Sequence, residues 1–292
     1  MSDAGSYTAL VCGFTEDDSG GVFAYRLDSG DGSLDRRGRT PVRAVSFLAV
    51  GPDRERAYTT DSVEGGVVTS YRLDSNEGTL TRLNRQSSEG DGPAYVSVDA
   101  TGSYAFVANY AGGTVAMLPI EDDGRLGEAS DVVEHEGSSV DSDRQEAPHP
   151  HSIDPGPENR YVYAPDLGTD RVAVYRIDFE EGALRPTEGG HTEVHDGAGP
   201  RHLDFHPNGR FCYLINELDS TVTAFGRDTE TGALDAIETE STLPAEFDGQ
   251  NKTADIHVHP SGDWVYGSNR GHDSIAVFAV DDAGGIDRQA VV

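Results

Sequence analysis

Lysine is almost absent from this chain. Of its 22 basic residues only Lys252 is a lysine, against 52 aspartates and glutamates, for a formal charge of −30. Such a surface repels nucleic acid and anionic membranes, so neither is expected as a partner. It suits a cytoplasm of high salt, where screening removes self-repulsion and carboxylates hold water, and a halophilic source is expected. Cysteine is nearly as scarce. Cys12 and Cys212, both inside apolar strand patterns, make no disulfide framework and no zinc site, and read as small core residues. No run is apolar over a membrane-spanning length. Met1 to Ser6 is small and polar, without the basic and apolar regions of an export signal, so a cytoplasmic location is expected. Several chemical signatures are missing: no G-x-S-x-G elbow, no H-E-x-x-H, no complete EF-hand loop, and no glycine-rich loop ahead of Lys252. A serine-esterase route and a P-loop are therefore unsupported, and no metal or cofactor is expected.

What is present is a repeat. "YTALVCGFTEDDSGGVFAYRLD", "RERAYTTDSVEGGVVTSYRLD", "GSYAFVANYAGGTVAMLPIE", "NRYVYAPDLGTDRVAVYRID" and "GDWVYGSNRGHDSIAVFAVD" share one pattern with the stretch that ends at Asp228. The acidic ends Asp28, Asp74, Glu121, Asp178, Asp228 and Asp281 are 46, 47, 57, 50 and 53 residues apart. A period of this size means a repeat architecture. In the unit from Gly199, strand a is expected at His202 to Phe205, strand b at Phe211 to Ile215, strand c at Thr221 to Phe225, and strand d from Ala233. Val, Ile, Tyr and Phe fill the strands, while Pro207-Asn208-Gly209 and Thr229 to Gly232 make turns. Four short antiparallel strands per unit form a blade of an all-β propeller, since a sandwich does not repeat its sequence. One domain over residues 1–292 is expected, with units at roughly 6–39, 40–86, 87–146, 147–197, 198–248 and 249–292. The first unit starts at strand b, so its blade is expected to lack the inner strand.

"HEGSSVDSDRQEAPHPHS" (His135 to Ser152), "DLGTDRV", "GPRH", "NELDSTVTAF" and "SNRGHDSIAVF" together resemble the lactonase family of seven-bladed propellers, over nearly the whole chain. The resemblance implies metal-independent hydrolysis of a sugar lactone, most of all 6-phosphogluconolactone. It also implies a seventh blade and a closing strand that are not visible here, and a monomer if the ring is complete. A related branch of the fold, the carboxy-muconate lactonizing enzymes, carries out a cycloisomerisation instead, and a non-catalytic propeller scaffold is a third reading.

In a blade the start of strand a, the end of b and the start of c lie together, at one mouth of the central channel. His149 and His151, then Arg201 and His202, then Asp255 and His257 stand at the starts of a strands; Asp166, Glu217 and Arg270 stand in b–c loops. Asn109 and Tyr110 take the b–c position of an earlier blade and could line the mouth. For lactone opening, Glu217 or His151 is the candidate base and Arg201 or Arg270 the oxyanion donor. A remaining arginine could clamp a phosphate. His149, His202, Asn109, Asp166 and His257 are candidate substrate contacts. Asp170, Asp219 and Asp273 read as loop formers, and His206 and His259 as structural residues in the a–b turns of the far face. The polar segment Val133 to Pro148 reads as a rim or partial lid.

Overall fold

The computed structural model describes residues 5–15, 19–63 and 65–292. Among them there is no α-helix. The strands form six antiparallel sheets. The first holds three strands in the order β1 (Ser6–Gly13), β2 (Gly21–Asp28), β3 (Leu34–Thr40). The second runs β4 (Val45–Val50), β5 (Arg56–Asp61), β6 (Val67–Asp74), β7 (Thr79–Ser87). In the third, β8 (Pro93–Val98), β9 (Tyr104–Asn109), β10 (Thr114–Pro119) and β11 (Asp131–Glu134) follow the same order. The fourth is β12 (Asp154–Pro155), β13 (Tyr161–Asp166), β14 (Arg171–Asp178), β15 (Ala183–Glu193). The fifth is β16 (Pro200–Phe205), β17 (Phe211–Asn216), β18 (Thr221–Arg227), β19 (Leu234–Ser241). The sixth is β20 (Lys252–Val258), β21 (Trp264–Arg270), β22 (Ser274–Val280), β23 (Ile286–Val291). Strands joined in sequence order, sheet after sheet, are the blades of a propeller. The first blade has three strands among the described residues, as its missing strand-a pattern predicts.

By compactness the chain divides into two units, one running to Gly112 and including Ala116–Val132, the other comprising Gly113–Val115 and Val133–Val292. In the second unit, period-2 alternation builds a core on each face of the fifth sheet. Cys212, Leu214 and Phe225 go to one side, where they pack with Tyr163, Val172 and Val174 of the fourth sheet. Tyr213, Ile215, Val222 and Ala224 go to the other, against Ile256, Val265, Ala276 and Phe278 of the sixth. The register explains the sorting, since Tyr213 pairs with Ala224 and Ile215 with Val222, each directly opposite pair on one face. Full burial of a Val, Leu or Phe side chain is worth about 1.5–3 kcal/mol, so these layers hold the sheets together. In the first unit, Tyr58, Val68, Val96, Val107 and Leu118 form the equivalent layer between the second and third sheets. The Pro207-Asn208-Gly209 turn closes β16 on β17, with Gly209 at φ 71°, a conformation that suits glycine, donating its N–H to the His206 carbonyl. Strand a of the fourth sheet is only two residues long. Pro150 and Pro155 lack an N–H for the ladder, and residues 149–151 instead run beside β13 through Leu167 N to His149 O, His151 N to Pro165 O, and a bridge between Pro150 and Asp166.

Five of the six b strands share a device at their ends. Asp61, Asn109, Asp166, Asn216 and Asn269 each occupy the last or next-to-last position of the strand, and all are at most 5 % exposed. Each carries hydrogen bonds that tie down neighbouring loops: Asn109 donates to Ser88 O, Asn269 to Thr242 O, and Asp166 accepts from His149 N and Gly168 N. The residue after each of these therefore leaves the strand on the opposite side.

Candidate active site

Glu217 directly follows the buried Asn216, and Arg270 directly follows Asn269. Arg201 is the second residue of β16 and His202 the third. These positions bring the four side chains together in the second unit. The Glu217 carboxylate is 5 % exposed and receives three guanidinium groups: Arg144 Nη2 on Oε1 at 2.7 Å, Arg201 Nε on Oε2 at 3.0 Å, and Arg270 Nη2 on Oε2 at 2.8 Å. Burial works to raise the Glu217 carboxyl. The Arg144 hydrogen bond and the charges of Arg270, Arg201 and Arg144 outweigh it and hold the group below the ordinary carboxylate range. Three cations and one anion leave a local surplus of positive charge inside a strongly acidic protein, which favours an anionic ligand or a developing oxyanion.

His151 lies beside this cluster, its Nε2 3.9 Å from Glu217 Oε2 and its ring edge-on to His202 with centroids 5.2 Å apart. Burial first, then the charge of Arg201, push His151 well below the ordinary histidine value, so it is a neutral imidazole at pH 7. His202 is lowered to about 4 by burial and Arg201, against the opposing pull of Asp255. Its ring is fixed: Nδ1 donates to Asp255 Oδ1 at 2.9 Å, and Nε2 is left to accept from Arg201 Nη1 at 3.2 Å. Arg201 Nη1 also donates to Ala254 O at 2.5 Å. Asp255 carries the chain outward, its Oδ2 3.2 Å from Nε2 of the exposed His257. Hydrogen bonds from His202 and His257 overcome the effect of burial and keep Asp255 ionised, while Asp204 and Asp255 hold His257 above the ordinary histidine range.

The structure thus gathers Glu217, Arg201, Arg270, His151 and His202, with His257 one carboxylate further out. Asp166 and Asn109 do not share this role. The expectation aligned Asp166 with Glu217, but Asp166 is the counterpart of Asn216, one residue earlier, and a one-residue shift moves a side chain to the other face. Asp166 is 1 % exposed and its oxygens are taken by His149 N, Gly168 N and His135 Nδ1. Asn109 is fully buried in the first unit and holds Ser88. Both are loop-fixing residues. His149 sits against the Glu146 carboxylate at 3.5 Å and gives its backbone N–H to Asp166. Asp170 joins the loop formers in a wider role, accepting from Gln145 Nε2, Gly197 N, Gly199 N and Ser139 Oγ. His206 donates Nε2–H to Gly262 O, and His259 accepts from Ser261 N, both within turns.

Arg144 is the site residue that the sequence reading passed over. It belongs to the polar segment Val133 to Pro148, which is anchored by His135 on Asp166 and Tyr175 and by Ser139 and Gln145 on Asp170. A signal existed: Arg144 is the sole arginine or lysine between Arg125 and Arg160. A lone cation in an acidic loop needs a reason, and Glu217 supplies it.

A polar, arginine-rich site on the loops of a bladed β scaffold defines a class of small-molecule enzymes rather than one reaction. Residues 5–289 match the family described as Lactonase, 7-bladed beta-propeller, and the chain belongs to it. It is an enzyme of the lactonase class. It is 34 % identical over 281 residues to the 6-phosphogluconolactonase of Bacillus subtilis, covering 96 % of this chain and 79 % of that protein. The periplasmic gluconolactonase of Pseudomonas aeruginosa superposes with a TM-score of 0.93 at 34 % identity, over 99 % of this chain and 83 % of that one. A protein from Lactobacillus plantarum gives 0.90 at 31 % identity, over 99 % and 82 %.

Proposed function

We infer that this protein hydrolyses a sugar lactone, 6-phosphogluconolactone above all, by direct attack of water. The observation that carries the reading is the pairing of a neutral, half-buried His151 with the Glu217 carboxylate wrapped by Arg144, Arg201 and Arg270. Of the two candidate bases, His151 is the better suited. Both oxygens of the Glu217 carboxylate are taken by guanidinium groups, which leaves it a poor proton acceptor, whereas His151, its own basicity lowered by burial and Arg201, is neutral at pH 7 and can take a proton from water. In this scheme water attacks the lactone carbonyl carbon and its proton passes to His151. The oxyanion is met by Arg201, which approaches from β16, while Arg270, from β21, adds positive charge beside it. The tetrahedral intermediate collapses, the ring C–O bond breaks, and the departing alkoxide takes the proton back from His151. Glu217 holds the arginines in place and keeps them from repelling one another. Asp255 holds His202, and His202 Nε2 meets Nη1 of Arg201, so this pair positions the oxyanion donor.

The test is the hydrolysis of 6-phosphogluconolactone and of glucono-δ-lactone, followed against spontaneous opening, in molar potassium chloride. Acceleration of either by the wild type, lost in Arg201→Ala, supports the reading. A rate no faster than spontaneous opening on both overturns it.

A further inference from the structure

The single lysine of the chain stands next to this cluster. Lys252 opens β20, and in the antiparallel register it lies directly opposite Arg270 at the end of β21. Directly opposed residues project from the same face of a sheet, and like charges so placed destabilise it. With 52 acidic residues available, Lys252 makes no ion pair among the described residues. Arg270, half exposed, uses Nε and Nη2 on Thr253 O and Nη2 on Glu217. Two cations held side by side without a second carboxylate are a place prepared for an anion from outside.

A cavity of about 750 Å³ lies at that place. Lys252 and Arg270 line it together with Leu218, Asp219, Ser220 and Asn251. Asp219 is engaged with His195 and with Thr221 Oγ1, and Asn251 with Ser220, Asn269 and the His272 N–H. Against this one lining carboxylate, already held by His195 and Thr221, stand the two cations Lys252 and Arg270, so the lining is positive on balance. Because Arg270 both lines this cavity and binds Glu217, the cavity adjoins the reacting cluster. It has room for the far end of a sugar lactone.

We propose that the cavity lined by Lys252 and Arg270 is the subsite for a phosphate ester carried by the lactone at the end remote from its carbonyl. The proposal deepens the lactonase reading and rests on it for the identity of the reacting end. It assigns Lys252 to specificity: a compact ammonium that meets a phosphate as a point charge, beside a guanidinium that already holds the Glu217 carboxylate.

The experiment compares kcat/KM on 6-phosphogluconolactone and glucono-δ-lactone for the wild type, Lys252→Met and Lys252→Arg, with equilibrium binding of the products 6-phosphogluconate and gluconate in parallel. The wild type is expected to favour the phosphorylated member of each pair. Lys252→Met should reduce that preference about tenfold, the weight of one charge-assisted hydrogen bond at a partly exposed site, and Lys252→Arg should keep most of it. A preference unchanged in Lys252→Met, or a wild type that distinguishes neither pair, overturns the subsite. If the wild type hydrolyses neither lactone, it is the lactonase reading that fails. Product binding then decides the subsite alone: 6-phosphogluconate bound more tightly than gluconate, with the difference lost in Lys252→Met, supports it, and equal binding overturns it.

Discussion

Glu217→Gln removes the only carboxylate among three arginines while keeping shape and size. In the wild type each guanidinium–carboxylate pair, at a charge separation of about 4 Å and an effective dielectric of 20, is worth about 4 kcal/mol before desolvation. Burial of Glu217 offsets much of that, and Arg270, half exposed, is screened by solvent. The variant loses the anion but keeps the cations. Its amide has one oxygen for three donors, and its NH2 must face a guanidinium. Breaking a buried ion pair on one side costs about 3–5 kcal/mol. For a chain of this size that is a fall in Tm of roughly 10 °C. The assay is thermal and urea denaturation at pH 7 in molar potassium chloride, with the double variant Glu217→Gln/Arg144→Met completing a cycle. Removing Arg144 as well relieves one stranded cation, so the double variant should be more stable than the sum of the single changes implies. A Glu217→Gln protein melting within roughly 2 °C of wild type would refute the counter-ion role. Turnover adds a second readout: whatever activity remains should show an acid limb at or below the wild-type position, because that limb belongs to His151 and the lost carboxylate stood 3.9 Å from its Nε2.

His151, half-buried, and His202, buried, are held neutral, so in wild type the kcat profile should stay flat down through pH 6 and fall only below the depressed His151 value; a limb centred on the ordinary histidine value near 6.5 would count against His151 as base. The same shifts act on stability. The unfolded chain takes up protons below about pH 6.5 that the native state refuses, so stability should drop as pH falls, by about 1.4 kcal/mol per unit for each histidine, and denaturation midpoints between pH 7 and 5 would reveal a flat line if the sites were open to water. Arg144→Met should lower kcat/KM by about tenfold or more, since one guanidinium leaves the cluster, and a wild-type value would remove Arg144 from the site. His206→Ala should leave turnover near wild type while loosening the Gly262 turn, and a large loss of activity would contradict the placement of that histidine away from the chemistry. With a formal charge of −30, the fold should weaken in dilute buffer, and a melting temperature independent of salt would contradict that expectation.

Much of the architecture was legible in the sequence because a propeller repeats its local pattern. The turn at Pro207-Asn208-Gly209 and the alternation from Phe211 to Phe225 placed β16, β17 and β18 to within two residues. The same repeat showed that Arg201, Glu217 and Arg270 belong to equivalent ends of successive units, since local hydrogen bonding and side-chain period are properties of the chain itself. Three things were decided only by tertiary structure. Whether Asp166 counted as the last residue of a strand or the first of a loop turned on one position of register, and register is set by pairing across the ladder, not along it. Arg144 reached Glu217 across 73 residues of sequence, carried by a loop with no periodicity to read. Glu217, legible as a possible base, became the counter-ion of three arginines once their approach was fixed, because a carboxyl's basicity depends on the charges packed around it and those come from three separate parts of the chain.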